Sequence, residues 1–300
     1  MSLSLSVVVP LYNHEAYIGS TLMSVFAQTR RAREVIVIDD GSQDAGLEIV
    51  RGLQRNRPEL ICWGHPNRGA HNTINLGIAR STSDLVAILN SDDLYESARF
   101  DRVARAFEAD PELDAVVTNM SFIDSDGGPT PFPWFDEAMG FYRDCKDFGL
   151  AMVNGNFVVT TSNLVVRREV FDRIGLFANL RYAHDLDFLL RLSVEGCKIQ
   201  LIDEPLLRYR IHPTNTIAEG VLKVKAEWAA VTAFYLSRLV QKDDGVDRLA
   251  KYIPILRKHA LSEPVLMLMS YFSKWPSETF ERTRYHLDEG VKRRVLETFT

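Results

Sequence analysis

The chain of 300 residues has only three cysteines, Cys62, Cys145 and Cys197, widely separated and in no C-x-x-C pair. That excludes a disulfide framework and the usual zinc spacings, and it points to a reducing, cytoplasmic compartment. No apolar run approaches the ~20 residues of a membrane-spanning helix. The start does not read as a signal peptide, because Ser2–Val9 has no basic stretch and runs straight into a turn at Pro10. Neither G-x-G-x-x-G nor G-x-x-x-x-G-K-[ST] occurs, which removes two common phosphate-gripping fingerprints. Internal repeats and low-complexity tracts are also lacking.

What is present is globular: 46% hydrophobic, 10% aromatic and 25% charged residues, a balance that argues against disorder or a coiled coil. The charge is uneven. Residues 1–219 carry 21 Lys+Arg against 30 Asp+Glu, and residues 220–300 carry 14 against 10. An acidic body argues against a nucleic-acid partner. The basic tail leaves an anionic membrane surface, at the inner face of the membrane, or a second copy of the chain open as partners.

Short apolar runs alternate with amphipathic stretches through the first 120 residues. Leu5–Val9, Val35–Ile38, Leu60–Trp63, Leu85–Leu89 and Ala115–Asn119 read as strands, and the segments between them carry helical apolar spacing. This predicts an α/β fold with a mostly parallel sheet covered by helices on both faces. Ligands of such sheets bind outside the carboxyl ends of the strands. Asp39-Asp40 and Asp92-Asp93 stand at that edge. From Ser125 to Phe157 the pattern breaks into a Gly- and Pro-rich stretch and an aromatic cluster, which predicts a long functional or mobile connection. After Asn215 only helical patterns remain, including one near Glu278–Thr298. The expected organisation is a body over 1–215 and a helical extension over 216–300.

Each acidic site has two readings. Asp92-Asp93 could hold a divalent cation, or could cap a helix. Asp39-Asp40-Gly41-Ser42 could face a ligand, or be an ordinary turn. Asn67-Arg68-Gly69 precedes a helix whose N-terminus suits an anion. Asp185 and Asp187 diverge by their spacing of two on a helix, so at most one reaches a shared site, and both could merely favour the helix dipole. His212 could be a metal ligand or a packing residue. The aromatics of 132–148 could stack on sugar rings or form loop core, and Thr160–Asn163 could bond hydroxyls.

Taken in order, Val7-Val8-Val9-Pro10-Leu11-Tyr12-Asn13, Val35-Ile36-Val37-Ile38-Asp39-Asp40-Gly41-Ser42, Asn67-Arg68-Gly69 and Leu89-Asn90-Ser91-Asp92-Asp93 resemble family 2 glycosyltransferases of the GT-A fold. Arg167-Arg168-Glu169-Val170-Phe171, His184-Asp185-Leu186-Asp187 and Tyr209-Arg210-Ile211-His212 continue the resemblance. It implies an inverting transfer from a nucleotide-sugar donor, UDP- or dTDP-linked, to a saccharide or lipid-linked acceptor in surface polysaccharide assembly. It places Pro10, Tyr12, Glu15 and Asp40 around the base, Asn67 and Gly69 in the flanking turn, and Asp92 near the ribose and pyrophosphate. Asp93 is implied to ligate Mg²⁺ or Mn²⁺, His212 to contact the metal or diphosphate, and Asp185 to be the general base. Three positions depart from the family pattern. Asn90 stands for the first acid of D-x-D, His184 for an acid before the base, and Ile74 for a frequent Arg. Asn90 is the best argument for the alternative, a weak or inactive nucleotide-sugar-binding scaffold.

Overall fold

The computed structural model describes residues 3–274 and 289–299. The continuous Val/Ile/Leu runs become strands with both faces covered. Val7, Val8, Val9, Ile36, Val37, Ile38 and Ile88 are all inaccessible to solvent, which is why those strands show no polar alternation. The elements in chain order begin β1 (Leu5–Leu11), α1 (Glu15–Phe26), β2 (Glu34–Asp39), α2 (Gly46–Gln54), β3 (Leu60–Gly64) and α3 (Ala70–Arg80). They continue β4 (Leu85–Ile88), β5 (Leu94–Tyr95), α4 (Arg99–Ala109), β6 (Ala115–Ile123), α5 (Pro133–Cys145) and α6 (Phe148–Asn154). Then come β7 (Val165–Arg167), α7 (Arg168–Ile174), α8 (His184–Val194), β8 (Ile199–Arg210), α9 (Val221–Leu239), α10 (Gly245–Lys258), α11 (Ser262–Phe272) and α12 (Glu289–Glu297).

Two compact units divide these elements: Met1–Phe132, Val158–Phe177 and Cys197–His212 form the first, and Pro133–Phe157, Ala178–Gly196 and Pro213–Thr300 the second. All the named strands lie in the first unit, in the order β3-β2-β1-β4-β7-β6-β8-β5. Pairs β1–β2, β1–β4, β2–β3 and β6–β8 are parallel, whereas β7 runs antiparallel to β4 and β6. Helix α3 approaches β1 closely at Gly77, where an added Cβ would lie 2.2 Å from a Val8 methyl. Only glycine allows that spacing. Strand β8 runs unbroken through Pro205, with register shifts against β6 at Thr118–Met120 where Pro205 pairs.

The second unit is helical. Its α5 and α6 occupy much of the stretch expected to be an irregular connection. The Gly127–Pro133 punctuation precedes the first of these helices and masked its period. Helix α8 is buried along nearly its whole length from Asp185 to Leu192, and α9 contributes the buried small residues Ala229, Ala230 and Ala233. Pro254 lies inside α10 without ending it, and Pro264 sits in the first turn of α11, where a missing N–H is tolerated. The helix expected near Glu278–Thr298 is described from Glu289 onward; 275–288 lies outside the described residues. Among the described residues no helix is long and apolar enough to cross a membrane.

Candidate active site

The loops at the carboxyl ends of β1, β2 and β3 are tied together by side chains. The N–H of Asn13 donates to Ser42 Oγ at 3.0 Å, and Asn13 Oδ1 accepts from Gln43 N–H at 2.8 Å. Glu15 Oε2 accepts from Ala45 N–H at 2.8 Å. Asp40, 3% exposed, uses both carboxylate oxygens on the turn after β3: Oδ1 accepts from Arg68 N–H at 2.7 Å and Oδ2 from Gly69 N–H at 3.0 Å. Gly69 has φ +86°, a conformation that favours glycine. Asp40 therefore shapes the Asn67–Gly69 turn. Pro10 is buried in β1, whereas Tyr12 just beyond it stays 45% exposed and Asn67 is exposed. These residues border one end of the sheet.

At the end of β4 the acidic pair splits into two roles. Asp93 is fully buried. Its Oδ2 accepts from Ser162 Oγ at 2.5 Å and its Oδ1 from Arg210 N–H at 2.9 Å. Burial, then the neighbouring Asp92 charge, push its carboxyl well above the usual range. Each Asp93 oxygen thus meets one protein donor, and the candidate metal group among the described residues contains Asp92 in place of Asp93. Asp92 is the outward member. Its Oδ2 lies 2.9 Å from His212 Nε2 and 3.9 Å from His14 Nε2. One ligand atom from each of His14, Asp92 and His212 falls within 4.8 Å of the others.

Two imidazole nitrogens and a carboxylate oxygen suit a divalent cation of the Mn²⁺ type better than Mg²⁺, which prefers oxygen throughout. Ser91 Oγ lies 2.7 Å from His14 Nδ1. In the tautomer that donates Nδ1–H to Ser91, the Nε2 lone pair is left for a ligand, a common arrangement around metals. Burial holds His14 below its ordinary pKa, against the opposing pull of Asp92. Arg210 latches the group: its Nε donates to Asp92 O at 2.9 Å, and its guanidinium lies 4.7 Å from the Tyr17 ring centre.

Asn90 is held on both sides by hydrogen bonds. Its Nδ2 donates to Thr160 Oγ1 at 2.9 Å while its Oδ1 accepts from Thr161 Oγ1 at 3.1 Å. A carboxylate could not donate to Thr160. Thr160–Asn163 is buried and bonded to Asn90, Asp93 and Thr118, so the residues expected to meet acceptor hydroxyls instead brace the acidic pair.

Asp185 belongs to the second unit. It lies in the first turn of α8, 7% exposed, and its Oδ2 accepts from Asn156 Nδ2 at 2.8 Å. Burial raises its pKa to about 6, with the Leu186 N–H and the Asn156 amide pulling the other way. Asp187 turns to a different partner, Arg191, at 2.8 Å. The divergence expected from their spacing is realised. In the aromatic stretch Phe135 is buried and Tyr142 stacks on Phe157 with ring centres 4.3 Å apart, while Trp134 stays 44% exposed.

The structure thus gathers Asp92 with His212, and Asp40 with Gly69. The contacts made by His14, Arg210, Ser162 and Asn156 were not foreseen. Only the register of D-x-D offered a signal, since Asn90-Ser91-Asp92 places its third position at Asp92.

The model of glycosyl transferase family 2 matches residues 6–175, more than half of the chain. The chain belongs to glycosyltransferase family 2. The match ends before Asp185 and His212. An uncharacterized glycosyltransferase of Nostoc sp. is 27% identical to this transferase over 228 residues, spanning 71% of the chain and 66%, just under two thirds, of that protein. The uncharacterized glycosyltransferase EpsJ of Bacillus subtilis is 25% identical over 272 residues, covering 86% of this chain and 78% of its own. S. aureus TarS in complex with UDP-GlcNAc matches with a TM-score of 0.59 at 20% identity, over 99% of this chain and 91% of that one. A likeness at that identity shows the fold alone: α/β of the GT-A kind, followed here by C-terminal helices.

Proposed function

We propose that this family 2 transferase moves a sugar from a nucleoside diphosphate, UDP or dTDP, to a hydroxyl of a saccharide or lipid-linked acceptor, with inversion at the anomeric carbon. The observation that carries the reading is the His14, Asp92 and His212 group at the carboxyl edge of the sheet, where a diphosphate leaving group has to be neutralised. UDP-GlcNAc and UDP bind TarS, which favours a uridine donor. The assignment to surface polysaccharide assembly in the cytoplasm, at the inner face of the membrane, rests on the family resemblance and the basic tail.

In this reading the loops bearing Pro10, Tyr12, Glu15 and Asp40 and the Asn67–Gly69 turn receive the nucleotide. His14, Asp92 and His212 hold Mn²⁺ or Mg²⁺, and the cation supplies charge neutralisation to the diphosphate oxygens. Asp185 accepts the acceptor's hydroxyl proton as that oxygen bonds to the anomeric carbon and the bond to the diphosphate breaks. Asn156 orients the carboxylate. Asp93, Ser162 and Arg210 keep Asp92 in place. The 1–215 body carries this chemistry, and 216–300 is a helical extension that supports it, meets the membrane or pairs with a second copy.

The test is a thermal-shift series with UDP-, dTDP- and GDP-sugars, each with Mn²⁺ and with EDTA. A ligand that binds only the folded chain raises Tm with occupancy. A rise for a uridine or thymidine sugar that needs Mn²⁺ supports the proposal; equal rises in EDTA contradict the cation's role.

A further inference from the structure

The second unit contains a grip on the chain that leads into Asp185. Helix α8 starts without a side-chain cap, because Ala183 stands at the N-cap position, where Ser, Thr, Asp or Asn would ordinarily satisfy a helix N–H. A carboxylate of α9 instead binds the three residues that lead into the helix. Glu227 Oε1 accepts from Arg181 N–H at 3.0 Å, and its Oε2 accepts from Tyr182 N–H at 2.7 Å and Ala183 N–H at 2.9 Å. Three successive backbone donors converge on one carboxylate, a charge-assisted arrangement stronger than neutral hydrogen bonds. Just before α9, Glu219 takes the Arg181 guanidinium, accepting from Nε at 2.8 Å, and the Tyr182 hydroxyl at 3.2 Å. That outer pair is exposed at the surface, with side chains 58% and 40% accessible, and such pairs hold little. The half-buried Glu227 carboxylate is the firm point.

Two residues beyond the gripped segment, the Asp185 carboxylate sits in its buried place against Asn156. A shift of about 1 Å at a reacting group can lower a rate by two orders of magnitude, so whatever fixes the start of α8 governs this carboxylate. We propose that Glu227 is a positioning residue for Asp185: from the C-terminal helical extension it clamps Arg181–Ala183 and so sets the place of the general base. The proposal rests on the reading of Asp185 as that base. It gives the extension a share in the reaction.

Two conservative variants separate the possible roles. E227Q keeps a carbonyl oxygen for Tyr182 and Ala183 but removes the charge; E227D keeps the charge but withdraws the carboxylate by one methylene. The readout is the titration of the Asp185 carboxyl by ¹³C NMR on the full chain, which needs no donor or acceptor. Burial places the expected wild-type midpoint at about 6. Positioning requires that E227D lowers the midpoint toward 4, as the carboxyl leaves its buried place, while E227Q stays near wild type. A fall in E227Q with E227D unchanged, equal falls in both, or no change in either overturns the proposal. Turnover of D185N judges the base separately. If D185N retains activity, the base reading fails whatever the titration shows; if D185N is inactive and the titrations do not separate, only the Glu227 inference fails.

Discussion

His212 Nε2 lies 2.9 Å from Asp92 Oδ2, across 120 residues of chain. Strand β8 brings the histidine to the carboxyl edge of β4, and the adjacent Arg210 bonds both members of the acidic pair through its own N–H and Nε. In the proposed reading the cation site accordingly centres on Asp92. Removing either partner of that contact should weaken Mn²⁺ binding at least tenfold, in line with losses seen at metal sites. Isothermal titration of Asp92→Ala and His212→Ala with Mn²⁺ measures it. Affinities within twofold of wild type would remove the site.

Asp93 should behave differently. Asp93→Ala leaves the Ser162 hydroxyl and the Arg210 N–H without their buried acceptor, a loss of about 1–3 kcal/mol each for such groups. Denaturant unfolding is expected to show that destabilisation, with Mn²⁺ affinity of the folded variant within about threefold of wild type. A stable Asp93→Ala with no Mn²⁺ affinity would reverse the two assignments.

As the proposed base, Asp185 would link rate and stability through one ionisation. Its folded pKa of about 6 lies above the ordinary value, so transfer should fall tenfold per pH unit below about 6 and level off above it. Between roughly pH 4 and 6 the folded chain keeps a proton that the unfolded chain releases, so stability declines as pH rises through that window. Asp185→Asn should abolish transfer, leave nucleotide binding intact, and stabilise the fold by an order of 1–3 kcal/mol at neutral pH. The gain should vanish near pH 3.5. Unfolding curves at both pH values check it; equal gains would show that ionisation is not the cause.

Asn156 donates to the ionised carboxylate and holds its pKa down. Asn156→Ala should therefore move the acid limb of the pH–rate profile to higher pH, with the plateau reduced less than the rate at pH 6. An unmoved limb would mean that the amide is no partner of the base.

The strands were legible because β1, β2 and β4 are buried on both faces and so read as unbroken Val/Ile/Leu runs. The places of Asp40 and Asp92 just beyond β2 and β4 were legible because they follow those apolar runs directly. The His14, Asp92 and His212 group was only half legible. His14 and His212 approach Asp92 through tertiary folding, and no local period announces a pair separated by 120 residues. Asp92 and Asp93 are adjacent, and only the turn between β4 and β5 decides that one carboxylate faces inward to Ser162. Helix α5 was hidden by the Gly127–Pro133 punctuation before it. The Glu227 clamp had no sequence signature at all, since its donors are backbone N–H groups.

The most direct measurement is release of nucleoside diphosphate from a panel of UDP-, dTDP- and GDP-sugars, with water or a saccharide as acceptor, in Mn²⁺ and in EDTA. Wild-type chain should release the diphosphate of at least one sugar, only when the cation is present, and Asp185→Asn should release none. Turnover that persists in EDTA, or in Asp185→Asn, would contradict a cation-assisted transfer with Asp185 as its base.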